Sequence, residues 1–177
     1  MKMNDIFRSE EWRLLLICRH AQSSWDDAAV RDFDRPLNRR GERDAPEMGC
    51  RLLQHGVQPD LIIASPAKRA LQTACHYAGQ LAYPLEKIQT EPLVYLASVH
   101  QLIGLLETVD PKVRTLFVVG HNPAITNLAN MLGGLHIDSI PTGGIVALAF
   151  HQPSWQGLAP DTGQLVFVDY PKRPDVA

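Results

Sequence analysis

Cysteine is scarce in this chain. The three present, Cys18, Cys50 and Cys75, are scattered and form no CxxC pair, which excludes a zinc knuckle and a dithiol redox centre. An odd count implies free thiols in a reducing compartment, each expected to serve as a small core hydrophobe. Charge bias is also missing. A net charge of −2 with 20% charged residues gives no footing for a nucleic-acid or membrane-surface partner. Long apolar runs are absent as well. Leu14–Cys18 breaks off at Arg19-His20, far short of the about 20 residues that span a bilayer and of a signal-peptide core. A cytoplasmic protein is the expectation. Repeats, low-complexity tracts and linkers are lacking. No cysteine is followed at the sixth position by arginine, and neither GxxxxGK[ST] nor HExxH occurs, so cysteine-dependent phosphatase, P-loop and zincin chemistry drop out.

What remains is a chain of 177 residues, enough for one domain over 1–177 with a real core. Residues 1–12 read as a peripheral arm or short helix. Arg13–Cys18 reads as a fully buried strand and Ala21–Leu37 as a long loop. Asn38 can cap a helix carrying Ala45, Met48, Gly49, Leu52 and Leu53 at helical spacing. Pro46 predicts a kink or restart there, with Asp44 and Glu47 boxing the second part. Leu61–Ala64 is a strand. Ser65-Pro66 then gives a cap with proline at the first helical position, before a helix with Ala67, Ala70, Leu71, Ala74, Ala78 and Leu81 inward. A short strand is expected near Ile88–Thr90. Ser98 and Gln101 box the start of the next helix. Thr115–Gly120 is a strand, and Asn122-Pro123 repeats the cap-plus-proline signature. Ile145–Phe150 and Leu165–Asp169 close the chain as strands. Strands alternating with helices predict an α/β fold with a mainly parallel sheet and helices on both faces.

In such sheets ligands bind beyond the carboxyl ends of the strands. Three of those ends carry unusual residues: Arg19-His20, then "SPAKRALQTA" with Arg69, then Gly120-His121 ahead of a helix start. Brought together, two arginines, two histidines and a helix N-terminus make an anion site, with phosphate the natural occupant. The histidines add chemistry, since a neutral imidazole can attack phosphorus while another donates a proton or hydrogen bond. Neighbouring arginines are expected to lower the pKa of His20 and keep its attacking nitrogen free.

The segments "CRHA", "SPAKRALQTA" and "VVGHNP", in order and each at a strand-to-helix junction, resemble the histidine phosphatase superfamily (phosphoglycerate mutase-like). The stretch "SSWDD…DFDRPLNRRGERDAP" is most similar to its small SixA-like phosphohistidine phosphatase branch, and the resemblance runs from about Leu14 to Phe150. It implies a three-layer α/β/α sandwich around a mostly parallel sheet, with no metal or organic cofactor. It implies His20 as the phosphorylated nucleophile, Arg19 and Arg69 as phosphate clamps, and His121 as the second histidine on the phosphoryl group. Ala21, Asn122 and Thr142 are further candidates for substrate contact.

Two positions depart from the family pattern. Ala21 stands where glycine is usual, which predicts a loop whose backbone is not left-handed. No acid fills the usual proton-donor positions: the first reads "EPLVYLAS", and Asn122 follows His121. Glu91, Asp26 and Asp27 are weak candidates. The gap favours a labile phosphorylated imidazole over an alkyl phosphate, so a phosphohistidine protein or a small phosphorylated metabolite is the expected partner. It also leaves open a module that binds a phosphorylated ligand without turning it over. A metallohydrolase on His20 and His121 would lack carboxylate ligands, and a mutase would be expected to carry the acid. Asp34 and Arg35 read as loop structure, Trp25 as a packed loop aromatic, and Thr142-Gly143-Gly144 as a turn. His55, His76, His100, His136 and His151 share no metal-ligand spacing and read as structural or surface residues.

Overall fold

A computed structural model describes Met3, Ile6 and residues 9–172. The strands are β1 (Trp12–Arg19), β2 (Leu61–Ala64), β3 (Gln89–Thr90), β4 (Thr115–Gly120), β5 (Ile145–His151) and β6 (Gln164–Asp169). The helices are α1 (Arg39–Gln54), α2 (Lys68–Gln80), α3 (Val99–Glu107) and α4 (Ala124–Gly133). The sheet runs β3-β2-β4-β1-β5-β6. The first four strands in that order are parallel, and β5 and β6 are antiparallel. This is the expected α/β/α sandwich, with an antiparallel pair finishing one side.

The apolar strands read as continuous because both faces are covered. Leu14, Leu16 and Cys18 of β1 point with Phe117 and Val119 of β4 toward Met48 and Leu52 of α1 and Ala74 and Tyr77 of α2. Leu15 and Ile17 point with Leu116 and Val118 to the other side, toward Leu102 and Leu106 of α3 and Ile125 and Leu128 of α4. Leu14, Leu15, Leu16 and Ile17 are each at most 1% exposed. At about 1.5–3 kcal/mol for each fully buried aliphatic side chain, β1 is held from both sides, and the loop it carries inherits that rigidity.

Connectivity then places the site. The helix after β1 packs on one face and the helix after the adjacent β4 packs on the other. The carboxyl ends of β1 and β4 therefore form the crevice where an α/β sheet accepts ligands.

Several local expectations are corrected. α1 passes through Pro46 without a break. Asn38 caps it by accepting from the Gly41 amide at 2.9 Å, while Asp44 is turned to Arg40 and Arg43 instead of starting a second helix. Leu53 is exposed. α2 begins at Lys68, so Ser65 is not its cap, and α4 has Pro123 at the N-cap position with no cap from Asn122. Their side chains are committed to tertiary contacts, described below. Cys18 is buried as expected, but Cys75 is half-buried and Cys50 is exposed, donating to Gln80 Oε1 at 3.1 Å. Within the arm, Ile6 is buried and Trp12 belongs to β1, while residues 1, 2, 4, 5, 7 and 8 lie outside the described residues.

Candidate active site

Arg19, the last residue of β1, lies opposite Gly120, the last of β4. His20 and His121 therefore leave the sheet together, with ring centres 5.1 Å apart. The His20 amide donates to the Gly120 carbonyl at 3.2 Å, so the two chain exits are also tied by backbone.

His20 is fixed in one tautomer. Its Nδ1 lies 2.7 Å from the Ala21 carbonyl oxygen. A carbonyl only accepts, so Nδ1 carries the hydrogen and Nε2 presents a lone pair. Arg69 Nε donates toward that nitrogen at 3.4 Å. Burial is the main force lowering the His20 pKa, to about 4; the Ala21 contact opposes it, and Arg69, Arg19 and Arg35 add to it. The arginines thus act as expected, but burial outweighs them.

Ala21 is fully buried, and its amide donates to Thr73 Oγ1 at 3.0 Å. Thr73 in turn donates to the Arg69 carbonyl at 2.8 Å, which fastens the loop after β1 to the helix turn that carries Arg69. Among the described residues the only non-glycine positive φ values belong to Ala82 and Asp161, so Ala21 has the side-chain-tolerant backbone its identity predicts. From the far side, Gly143 donates its amide to the His20 carbonyl at 2.9 Å and adopts φ +73°, a turn geometry that favours glycine.

Arg19 donates from Nη1 to the Ile140 carbonyl at 2.8 Å, and its buried Nε has no protein partner. His121 Nε2 lies 2.8 Å from Ser65 Oγ. Ser65 Oγ also accepts from the Ala67 amide at 3.2 Å, and its second lone pair and hydroxyl hydrogen let it either accept from or donate to His121 Nε2. His121 Nδ1 is buried without a protein partner. Burial is again the main cause lowering its pKa, to about 3, followed by His20 and Arg69, with Asp32 opposing.

A cleft of about 600 Å³ opens over His20, lined by Arg19, Arg35, Arg39, Arg40, Trp25 and Thr142. Asp26 is the one acid on its wall. Four arginines against one carboxylate, in a chain of net charge −2, mark an anion site.

The sequence model of the histidine phosphatase superfamily (branch 1) matches residues 15–93, a span that holds Arg19, His20, Ser65 and Arg69. The chain belongs to that superfamily. It is 31% identical to an uncharacterised protein of Mycobacterium tuberculosis over 87% of this chain and 99% of that one. It is 33% identical to an uncharacterised chloroplastic protein of Arabidopsis thaliana over 71% of this chain, a match spanning 61% of the relative's length. Among solved structures, the putative phosphohistidine phosphatase SixA from Nakamurella multipartitia superposes with a TM-score of 0.78 at 26% identity, covering 90% of this chain and 96% of that one. Within that superfamily the chain falls with the SixA-like branch.

The structure gathers Arg19, His20, Arg69 and His121 as the sequence predicts, with Ala21 beneath them and Thr142 on the cleft wall. Asn122 is not on that wall. Its Oδ1 accepts from Thr126 at 2.7 Å and its Nδ2 donates to Ser139 and to the Ile140 carbonyl, the same oxygen that holds Arg19. Of the weak acid candidates, Glu91 accepts from the Leu93 amide and Asp27 from the Ala29 amide, each within its own turn, while Asp26 is on the cleft wall. Trp25 is not packed: it is 76% exposed, with the Arg35 guanidinium 3.4 Å from its ring centre. Arg35, read as loop structure, shares the cleft. Sequence reasoning missed Asp32 and Tyr95 at the site and gave Ser65 the wrong partner. Among the described residues no three His, Cys, Asp or Glu side chains gather as metal ligands.

Proposed function

We propose that this chain is a metal-independent phosphatase working through a phosphohistidine on His20, with a phosphohistidine protein or a small phosphorylated metabolite as substrate. The observation that carries the reading is the His20 tautomer, with Nδ1–H given to Ala21 and the Nε2 lone pair facing Arg69. Nε2 attacks phosphorus, and the bond from phosphorus to the leaving group breaks. Arg19, Arg69 and the His121 N–H stabilise charge on the phosphoryl oxygens. Water then attacks phosphorus, the P–Nε2 bond breaks, and phosphate leaves. A labile N–P bond suits a site where Glu91 and Asp27 are engaged in their own turns and Asp32 is held by Arg69 and Tyr95, because an imidazole leaving group demands little acid assistance. The similarity to the putative phosphohistidine phosphatase SixA of Nakamurella multipartitia supports the same class. We read the whole chain as one such domain acting in the cytoplasm.

Turnover of phosphoramidate and of a phosphohistidine protein, measured in EDTA, tests the proposal. Activity that survives chelation and vanishes in His20→Ala supports it. Tight binding without turnover would replace it with a binding module.

A further inference from the structure

Asp32 stands outside the four residues above, yet it touches the machinery at several points. It opens the 3-10 turn Asp32–Asp34 in the loop after β1. Arg69 Nη1 donates to its backbone carbonyl at 2.6 Å, and Arg69 Nη2 donates to its Oδ2 at 3.1 Å. The Tyr95 hydroxyl donates to the same Oδ2 at 2.7 Å, and Arg35 Nε donates to Oδ1 at 3.2 Å. Tyr95 also sets its ring edge-on to His121, with centres 5.5 Å apart.

A guanidinium offers five N–H groups in one plane: an end-on fork from Nη1 and Nη2, and a side-on fork that includes Nε–H. Asp32 occupies the end-on edge of Arg69 with two different oxygens, one from the main chain and one from the side chain. That pair of contacts fixes both the position and the plane of the fork. The side-on edge bearing Nε–H is left facing His20 Nε2. A carboxylate has no favourable contact with a phosphoryl dianion, so Asp32 acts through Arg69.

We propose that Asp32 is a positioning residue, which grips the end-on edge of Arg69 so that the side-on edge meets the phosphoryl group at His20. The inference rests on the phosphatase reading for its catalytic consequence, but not for the geometry of the grip. The Asp32 side chain is 51% exposed, but its partners Arg69 and Arg35 are only 6% and 8% exposed. Its loss should therefore cost some stability as well as rate, and the Arg69→Lys background and the Arg69 resonance separate the two.

The test follows phosphorylation of His20 by phosphoramidate. Asp32→Ala should slow it by about 10- to 100-fold, as a misplaced positioning group does, at a temperature where the variant is fully folded. Asp32→Asn keeps a side-chain acceptor for Arg69 and should recover most of the rate. In an Arg69→Lys background, which lacks the fork, Asp32→Ala should change the rate less than about twofold. The Arg69 Nε–H resonance supplies a comparison that needs no turnover: distinct and slowly exchanging in the wild type and Asp32→Asn, averaged with solvent-exposed arginines in Asp32→Ala. A wild-type rate in Asp32→Ala, a full loss repeated in the Arg69→Lys background, or an unaltered Arg69 resonance overturns the proposal. If the wild type accepts no phosphoryl group, the phosphatase reading fails, and the resonance alone decides whether Asp32 holds Arg69.

Discussion

Ser65 and His121 come from different strand ends, yet Ser65 Oγ sits 2.8 Å from His121 Nε2 with both groups buried. The contact couples the orientation of the Ser65 hydroxyl to the tautomer of His121. Ser65→Ala should leave His121 Nε2 without its partner and free the ring to change tautomer. We expect a loss of about 1–3 kcal/mol of stability, the usual cost of stranding a buried polar group, and a clear fall in kcat. Denaturant unfolding and steady-state kinetics check both, and an unchanged kcat would remove Ser65 from the account.

The depressed histidine pKa values set the acid behaviour. With His20 near pKa 4 and His121 near 3, both rings stay neutral in the ligand-free protein well below the ordinary imidazole value near 6.5. The rate of His20 phosphorylation by a substrate whose own ionisation is constant should hold steady as pH falls from 7 and drop only as about pH 4 is approached. The unfolded chain binds more protons than the folded one between the two pKa values. Stability should therefore fall as pH drops from about 6.5 toward about 4. A titration followed by imidazole NMR would contradict this if either ring protonated near 6.5.

Gly41 lies in the first turn of α1, hard against the loop after β1 at Gln22. A Cβ built there would overlap the Gln22 carbonyl oxygen, which also accepts from the Asn38 amide at 3.0 Å. Backbone cannot swing away as a side-chain tip can. Gly41→Ala should therefore destabilise the fold by about 1–3 kcal/mol and depress activity, although it removes no chemical group. Thermal unfolding beside kinetics reports the pair of effects.

Restoring the family's usual glycine should not help. Ala21 is buried, its φ is not positive, and its amide is already paired with Thr73. Ala21→Gly should cost about 0.4–1 kcal/mol through the freer unfolded chain and leave kcat no higher. A marked rise in kcat would mean that the methyl group obstructs the substrate.

The parts of the site legible in the sequence were those written in consecutive residues. Arg19-His20, Arg69 and Gly120-His121 each follow a strand whose apolar run announces it, and the sheet brings strand ends together by rule. Longer-range commitments were hidden. Asp32 meets Arg69 across 37 positions and Ser65 meets His121 across 56, and no periodicity encodes either pairing. Local signatures misled where tertiary partners competed for the same side chain. Ser65 and Asn122 both look like helix caps, but His121 claims one and Ser139 with Ile140 claims the other. Pro46 looked like a break, yet α1 runs through it, with Ala45 and Met48 beside it in the core.

The central claim is that His20 carries the phosphoryl group. Its most direct test is to react the protein with phosphoramidate in EDTA, quench in base, and locate the added phosphoryl group by mass spectrometry. The account predicts an acid-labile, base-stable phosphate on the His20 peptide, absent from His20→Ala. Turnover without that label, or a label that persists in His20→Ala, would contradict it.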